Sequence, residues 1–310
     1  MLGIYVKVLY AMRIAIFYVE ERPTLFLFKE AAKKLGIDAR LCHFSDFKIS
    51  VDKFSVRAEA GGFAIDKYDL IFVREIRDYY REFRLLLQFC MEKKIPMLDT
   101  ALLQIKGSSK IDGMMRYAFN KLPVPKTVFS NNPADIKSII KNLSLPLVAK
   151  ENRGRQGKQV YLIKNEKELR KFLSKEKAFN RTLDTPTFLF QQFIPAKSDV
   201  RVLVLGNRVL GAIQRQSARD GEFRHNVALG GIATQIKVTP EMRRIAIKAA
   251  KVEKFEFAGV DLIQHKDTGE FYILEVNRSP EFEGFMSATG IDVPYEVMKF
   301  AKEFISTQTI

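Results

Sequence analysis

The first hundred residues of the chain alternate between segments patterned as buried strands and segments patterned as helices. In chain order the predicted elements are strand 12–18, helix 23–35, strand 39–43, strand 70–74, helix 79–93 and strand 96–98. Alternating strands and helices favour a parallel sheet covered by helices. The sequence therefore predicts a small Rossmann-like α/β domain over residues 12–104.

The rest of the chain lacks this regular alternation. Antiparallel hairpins are predicted over residues 200–215 and 257–277. Helices are interspersed with these strands, which is typical of an α+β architecture. We expect two further domains, a central subdomain over residues 105–190 and a C-terminal subdomain over residues 191–310.

Three helix starts in this part carry a capping residue. Asn132 precedes Pro133, and Thr239 precedes another proline. Asn165 is followed three residues later by Glu168, which is the spacing of a capping box. Side-chain oxygens at these positions can accept hydrogen bonds from the first free N–H groups of a helix. We therefore predict helices beginning directly after each of them.

The balance of charges limits the kinds of partner. The chain has 51 Lys plus Arg against 36 Asp plus Glu, a formal net charge of +15. This excess indicates an anionic ligand or an acidic partner, although a lysine-rich solvated surface would give the same value. Blocks of five or six like charges do not occur, and no basic stripe is regularly interleaved with aromatic residues. A nucleic-acid partner is therefore not expected.

Two further sequence features bear on location. Charged residues interrupt every apolar stretch before it reaches the roughly 18 residues that a membrane helix needs. Cys42 and Cys90 lie in apolar surroundings without CxxC spacing. We therefore predict reduced thiols in a cytoplasmic protein that does not span a membrane.

The segment AGVDLIQHKDTGEFYILEVNRSP, residues 258–280, brings two carboxylates together. A turn at residues 267–269 places Asp261 directly opposite Glu275, and Asn277 then faces the same side. The other face of this hairpin is predicted to carry Val260, Leu262, Tyr272, Leu274 and Val276. Oxygen-bearing side chains that converge in this way predict a magnesium site. The alternative is a carboxylate pair neutralised by a nearby Lys or Arg.

A basic, glycine-containing loop follows the strand that ends at Lys150. Gly154 and Gly157 would let the backbone turn tightly and direct N–H groups at an anion, and Lys150 adds a point charge for phosphate. A basic hairpin loop without a ligand would have the same composition. Lys110 lies at the start of the helix predicted before this strand and loop. On its own it resembles a solvated surface lysine.

The hairpin over residues 198–216 gathers charged groups at one end. Asp199 and Arg201 share a face of the first strand, and Arg215 ends the partner strand. An ion pair at the edge of a sheet would explain the same pattern. The loop that follows contains Arg224 and Asn226 and is long enough to be functional.

Taken in order, these motifs identify a family resemblance. Lys110, Lys150 and the segments QQFI, SDVR, EFRHN, AGVD and ILEVNRSP resemble the ATP-grasp superfamily of carboxylate–amine ligases. The resemblance is to its RimK-like branch, which attaches glutamate or a similar amino acid to a carboxyl-terminal acceptor. It covers residues 105–305 and is most specific over residues 191–280. It implies an ATP-grasp fold preceded by a small Rossmann-like domain.

The resemblance also implies a role for each site residue. For the nucleotide, it implies that Lys110, Lys150 and the loop of Gly154 and Gly157 bind ATP phosphates, that Gln192 and Phe193 form the adenine hinge, and that Asp199, Arg224 and Asn226 make further nucleotide contacts. For the metal, it implies that two magnesium or manganese ions are bound by Asp261, Glu275 and Asn277. For the reaction, it implies that Arg201 and Arg215 contact the transferring phosphoryl group and the acceptor carboxylate.

The chain departs from the family pattern at four positions. Glu151 stands where proline is frequent, Arg155 where serine is common, and Gln159 where a further glycine is usual. The glycine loop is therefore bulkier and more basic, which puts its phosphate contacts in doubt. Gln192 replaces a common glutamate in the adenine hinge, where we expect little effect because the backbone makes much of the recognition.

The reaction that the resemblance implies is an ATP-dependent ligation. The acceptor carboxylate attacks the γ-phosphate of ATP, and the amine of an amino acid, expected to be glutamate, then displaces phosphate from the acyl phosphate. The acceptor could be a small molecule, a coenzyme, a dipeptide, an acidic protein tail or an amino-group carrier protein of lysine or arginine biosynthesis. The other alternative is a non-catalytic module that binds a nucleotide or a polyanion. The resemblance is also compatible with a homo-oligomer.

Overall fold

The computed structural model describes residues 11–103, 109–129, 136–152, 159–176, 187–216 and 232–308. Its strands are β1 Arg13–Tyr18, β2 Asp38–His43, β3 Lys48–Asp52, β4 Ser55–Ala60, β5 Phe63–Ala64, β6 Leu70–Val73, β7 Met97–Leu98, β8 Thr127–Phe129, β9 Leu147–Glu151, β10 Val160–Ile163, β11 Phe188–Gln192, β12 Asp199–Leu205, β13 Arg208–Gln216, β14 Ile232–Ile236, β15 Phe257–Gln264 and β16 Phe271–Arg278. Its helices are α1 Pro23–Lys34, α2 Tyr80–Lys93, α3 Lys110–Phe119, α4 Ile136–Leu143, α5 Glu166–Glu176, α6 Pro240–Glu253, α7 Glu283–Thr289 and α8 Val293–Gln308.

The chain divides into two compact units. The first comprises Met1–Ile105, Phe255–Phe257 and Asp292–Ile310, and the second comprises Lys106–Lys254 and Ala258–Ile291. The first unit thus takes in the closing helix α8 as well as the N-terminal third of the chain. The division into three domains stays a prediction.

A four-stranded sheet of order β2-β1-β6-β7 forms the centre of the first unit, and all of its pairings are parallel. This confirms the α/β pattern predicted for the first hundred residues. Ile14, Ile16, Phe28 and Phe72 are fully buried, and the rings of Phe28 and Phe72 pack with centroids 5.5 Å apart. Burial of such side chains contributes most of the stability of a core like this one.

Helix α8 packs on α1 within the first unit. Val293, Val297, Met298 and Ala301 are fully buried. The ammonium group of Lys302 donates a hydrogen bond of 3.0 Å to the carbonyl oxygen of Leu35, the residue after α1. The last described helix therefore packs within the same unit as the first strands.

A three-stranded antiparallel sheet of order β3-β4-β5 stands between β2 and β6 in the sequence. Sequence analysis did not predict it. Its strands are short, and the turn between β3 and β4 consists of Lys53 and Phe54, which lack the glycine or asparagine that usually signals a hairpin. Phe54 is 91% exposed at the tip, whereas Ala58 and Ala60 are buried at the base.

The second unit contains two antiparallel-rich sheets. The first has the order β10-β9-β11-β8, and the second has the order β14-β13-β12-β15-β16. Helices α4 and α5 share a core with the first sheet that includes Ile139, Leu169 and Phe190. Helix α6 packs on β12, β13 and β16 of the second sheet.

The predicted helix caps agree with the structure where it describes them. The Thr239 hydroxyl accepts a 3.1 Å hydrogen bond from the Met242 N–H at the start of α6. Asn165 Oδ1 accepts from the Glu168 N–H at 2.9 Å at the start of α5. The predicted cap at Asn132 lies outside the described residues. None of the helices in the described ranges is both long enough and apolar enough to cross a membrane.

Candidate active site

The hairpin of β15 and β16 places the predicted carboxylates as the sequence pattern indicated. Asp261 pairs directly with Glu275, and Gly259 pairs with Asn277. Gly259 is required here, because a Cβ atom at this position would lie 2.7 Å from Pro280 Cβ and 3.7 Å from Arg201 Nε. The close approach of these neighbours to the backbone explains why β15 carries a glycine two residues before Asp261.

The register of the hairpin shifts immediately after Asp261. Leu262 pairs with Ile273, and Ile263 pairs with Tyr272. The predicted apolar face is therefore correct for Val260, Leu262 and Val276, but wrong in placing Tyr272 and Leu274 on it. Ile273 is fully buried, and the Tyr272 hydroxyl donates to Glu270 at 2.9 Å. The irregularity leaves one extra residue on β16, and a run of apolar residues at 271–274 gives no sign of where it falls.

Asp261 is buried and is held by two arginines. Arg201 donates from Nε to Oδ1 and from Nη2 to Oδ2, both at 2.8 Å. Arg215 Nη2 lies 3.1 Å from Oδ2. Burial by itself raises the pKa of Asp261, but the two guanidinium groups outweigh it and hold the pKa below its ordinary value. Arg201 and Arg215 therefore neutralise the charge of Asp261, as the alternative interpretation of the carboxylate pair expected.

Asn277 connects the two carboxylates. Its Nδ2 donates to Glu275 Oε1 at 2.8 Å and lies 3.4 Å from Asp261 Oδ2. Two carboxylates and an amide offer the oxygen donors that magnesium prefers, so the chemistry of these residues fits the ion. Among the described residues no three His, Cys, Asp or Glu side chains cluster in a way that could hold a metal. A metal at this position would therefore rely on Asn277 and on phosphate or water oxygens.

Asp199 and Arg215 form a buried ion pair across β12 and β13. The two residues pair directly, and Arg215 donates from Nε and Nη2 to the two carboxylate oxygens at 2.6 and 2.8 Å. The pair is buried, with exposed fractions of 6% and 3%, so it differs from a solvated pair at a sheet edge. Burial raises the pKa of Asp199 to about 6, in spite of the nearby arginine. Arg215 joins Asp199 to Asp261, and the three side chains form one charged cluster.

Lys150 and Lys110 lie near this cluster. Lys150 is at the end of β9, and its pKa is lowered to about 8 by removal from water and by the charge of Lys110, with Glu275 and Asp199 acting in the opposite direction. Lys110 is the first residue of α3, where Ser109 and Asp112 form a capping box. Sequence analysis gave Lys110 little weight on its own, because nothing local distinguishes it from a surface lysine.

Asn152 is a positioning residue that sequence analysis missed. Its carbonyl oxygen accepts from the Lys110 N–H at 2.9 Å, and its Oδ1 accepts from the Ile111 N–H at 3.0 Å. The side chain is buried. Asn152 therefore attaches the start of α3 to the end of β9 and brings the two lysines together. The one signal in the sequence is its place two residues after Lys150.

Gln192 and Phe193 lie where the second unit passes from one sheet to the other. Gln192 ends β11, and its N–H donates to the Lys126 carbonyl at 2.9 Å. The side chains of both residues are half-buried. The neighbouring Gln191 is buried and donates to Thr127 Oγ1 at 2.9 Å. This connection is consistent with a hinge segment, and its contact with adenine stays a prediction.

Several predicted residues lie outside the described ranges. These are Gly154, Arg155, Gly157, Arg224 and Asn226. Gln159, at the end of the glycine loop, has a φ of 72°. This is the left-handed region that favours glycine, and it is the position at which the resemblance expects a glycine.

Comparisons with known proteins identify the family of this chain. A family model described as RimK-like ATP-grasp domain matches residues 107–301. A protein of Saccharophagus degradans named "Probable alpha-L-glutamate ligase" is 31% identical over 307 residues, which cover 93% of this chain and 95% of that protein. A protein of the same name from Trichodesmium erythraeum is 36% identical over 201 residues, 64% of each chain.

Solved structures share the fold. The ATP-grasp ligase PsnB, in complex with a minimal precursor, aligns with a TM-score of 0.73 at 16% identity and covers 97% of this chain and 100% of its own. A RimK domain ATP-grasp protein from Sphaerobacter thermophilus aligns with a TM-score of 0.67 at 18% identity, covering 93% and 98%. PsnB has also been solved with its precursor, Mg and ADP. The family match over residues 107–301 and the near full-length match to the Saccharophagus degradans protein establish that this chain belongs to the RimK-like ATP-grasp family of carboxylate–amine ligases.

Proposed function

We propose that this chain uses ATP and magnesium to join an amino acid, glutamate in the first instance, to an acceptor carboxylate. The observation that carries the proposal is the convergence of Asp261, Glu275 and Asn277 beside Arg201 and Arg215 in the second unit. The name of the curated relatives supports glutamate as the amino acid.

In this proposal Asp261, Glu275 and Asn277 hold magnesium, with two ions expected from the resemblance. Magnesium would neutralise charge on the reacting phosphates. Lys150 and Lys110 add positive charge for phosphate oxygens, and a Lys150 pKa of about 8 leaves most of this side chain protonated at pH 7. Asp199 maintains the position of Arg215 through two hydrogen bonds.

The proposed reaction has two steps. An acceptor carboxylate oxygen attacks the γ-phosphorus of ATP, giving an acyl phosphate and ADP. The amine of the amino acid then attacks the acyl carbon, and inorganic phosphate leaves. Arg201 and Arg215 both contact Asp261, and they would orient the acceptor and offset charge on the transferring phosphoryl group. No covalent intermediate on the protein is needed.

The test is a coupled assay on purified protein. We would incubate it with ATP, magnesium chloride, glutamate and acceptors of three kinds: small dicarboxylic acids, a glutamate-ended dipeptide and an acidic peptide. Phosphate release and product mass would be followed together. Acceptor-dependent phosphate release with a mass gain of one glutamate residue supports the proposal.

Two controls make the assay decisive. Replacement of glutamate by each of the other amino acids shows whether glutamate is preferred, and Glu275→Gln removes the negative charge of one proposed metal ligand. Phosphate release that is independent of acceptor and amino acid, or that persists in Glu275→Gln, would contradict the assignment.

A further inference from the structure

Helix α6 borders a strongly basic groove in the second unit. The groove has a volume of about 860 Å³ and is lined by Lys237, Val238, Pro240, Arg243, Arg244, Ile247, Lys248 and Lys251. Five of these eight residues are cationic and none is acidic. The groove therefore concentrates positive charge on one side of the unit.

The helical period explains why these cations lie together. Met242, Ile245, Ala246 and Ala249 are buried and form the face that packs on the sheet of β12, β13 and β16. Residues spaced by three or four along a helix share a face. Arg244, Lys248 and Lys251 have this spacing and are all exposed, so they form a stripe on the outward side of α6.

Among the described residues, no acidic side chain pairs with the cations of the groove. No ion pair or side-chain hydrogen bond joins any of its five cations to another residue in the described part of the chain. Helix α5 differs, because its Arg170 pairs with Glu166 one turn away. Like charges at this spacing destabilise a helix, so the sequence of α6 carries a cost that binding of an anion would offset.

The other lining residues indicate the class of partner. Val238, Pro240 and Ile247 are aliphatic, and none of the described residues that line the groove is aromatic. Sites for single-stranded nucleic acid commonly stack bases on aromatic rings. Aliphatic contacts flanked by cations instead suit a polypeptide that alternates acidic and aliphatic side chains.

We propose that the α6 groove binds an acidic segment of a partner polypeptide. The surface lies on the outward side of α6, whereas Arg201, Arg215, Asp261 and Glu275 belong to the strands of the sheet. Binding at the groove needs neither ATP nor turnover. The proposal therefore stands or falls separately from the ligase assignment, and the two can be tested on the same preparation.

The experiment is a fluorescence anisotropy titration of the full chain without ATP. The probe is a labelled synthetic peptide of alternating glutamate and leucine. The groove variant is Arg244→Glu with Lys248→Glu. The matched control is Lys29→Glu with Lys33→Glu on α1, which are exposed, have the same spacing, and change the net charge equally. Thermal melts of both variants monitor folding.

We expect the groove variant to bind the peptide about tenfold more weakly than the unmodified chain, and the control variant to bind nearly as well. Binding should weaken as salt rises from about 50 mM to about 300 mM. Equal losses in both variants, no binding by the unmodified chain, or tighter binding of a uridine oligonucleotide than of the peptide would each overturn the proposal. If the groove variant does not fold, Lys248→Gln with Lys251→Gln replaces it under the same criteria.

Discussion

Arg201 and Asp261 are joined by two parallel hydrogen bonds, each of 2.8 Å, between a guanidinium group and a buried carboxylate. Such forked pairs have both a fixed geometry and a strong charge-assisted attraction. The pair links β12 to β15 in the second unit, so it contributes to the packing of the sheet as well as to the candidate site.

Removal of this arginine should therefore destabilise the protein. Arg201→Ala leaves Asp261 with Arg215 as its remaining cation, and we expect a loss of about 2 kcal/mol in the free energy of unfolding. This loss can be measured by urea denaturation, with circular dichroism as the signal of unfolding. Arg57→Ala, on an exposed strand of the first unit, is the control and should change stability little. A loss no larger than that of the control would show that the pair is not important for folding.

Glu275 has a chemical role in our proposal, so its charge should matter more for turnover than for stability. Glu275→Gln keeps the shape of the side chain and removes the negative charge of one proposed metal ligand. We expect ATP consumption to fall by about 100-fold or more, with a melting temperature close to that of the unmodified protein.

Phosphate release and thermal melts on the same preparation test this expectation. Glu270→Gln is a matched control, because Glu270 lies on the same hairpin and is exposed. Full activity of Glu275→Gln would be evidence against the metal assignment. An equal loss in both variants would indicate a general effect of charge.

Gln159 occupies a backbone conformation that glycine adopts more easily, with a φ of 72°. Gln159→Gly should stabilise the protein by about 0.5–1 kcal/mol, because it relieves strain that exceeds the added entropy of the unfolded chain. The backbone oxygen still accepts from the Glu151 N–H at 3.0 Å. Denaturant titration measures the difference. Gln159→Ala keeps the strain and should give no gain, so equal stabilisation by both variants would disprove this explanation.

The two cysteines should be unreactive while the protein is folded. Burial raises the pKa of Cys42 to about 11 and that of Cys90 to about 12. A thiol is reactive as its thiolate, so a disulfide reagent at pH 8 should label neither residue until denaturant is added. Ser50→Cys, on the exposed strand β3, supplies a thiol that should react at once.

The same shifts set the direction of a pH effect. Unfolded thiols ionise near pH 9, well below the folded pKa values. Stability from these two groups is therefore fully present below pH 9 and is lost as pH rises from about 9 towards 11. Urea midpoints measured across this range should decrease, and replacement of both cysteines by alanine should make the decrease smaller.

Local signals were sufficient for some parts of the site. The pairing of Asp261 with Glu275 follows from a turn and a period of two, and Thr239 follows from the chemistry of helix caps. The register shift after Asp261 was not predictable, because the residues on both strands at this point, 262–263 and 271–274, are apolar. The role of Asn152 depends on contact with α3, more than forty residues away, which a linear pattern does not contain.

The fold shows the same distinction. The parallel sheet of β1, β2, β6 and β7 was expected from alternation. The sheet of β3, β4 and β5 was not predicted, although β3 and β4 alternate polar and apolar residues, because the Lys53-Phe54 turn carries no hairpin signal and the strands are mostly exposed. The packing of α8 on α1 joins segments that are far apart in the sequence, and nothing in the pattern of either helix identifies the other as its partner.

This last contact has a consequence for how the protein is made. A ribosome produces β1 and α1 long before residues 293–308, yet Val297, Met298 and Ala301 complete the core of the first unit. The surface that α8 will cover stays exposed during synthesis of the whole second unit. We therefore expect the core of the first unit to stay incomplete until residues 293–308 have been synthesised.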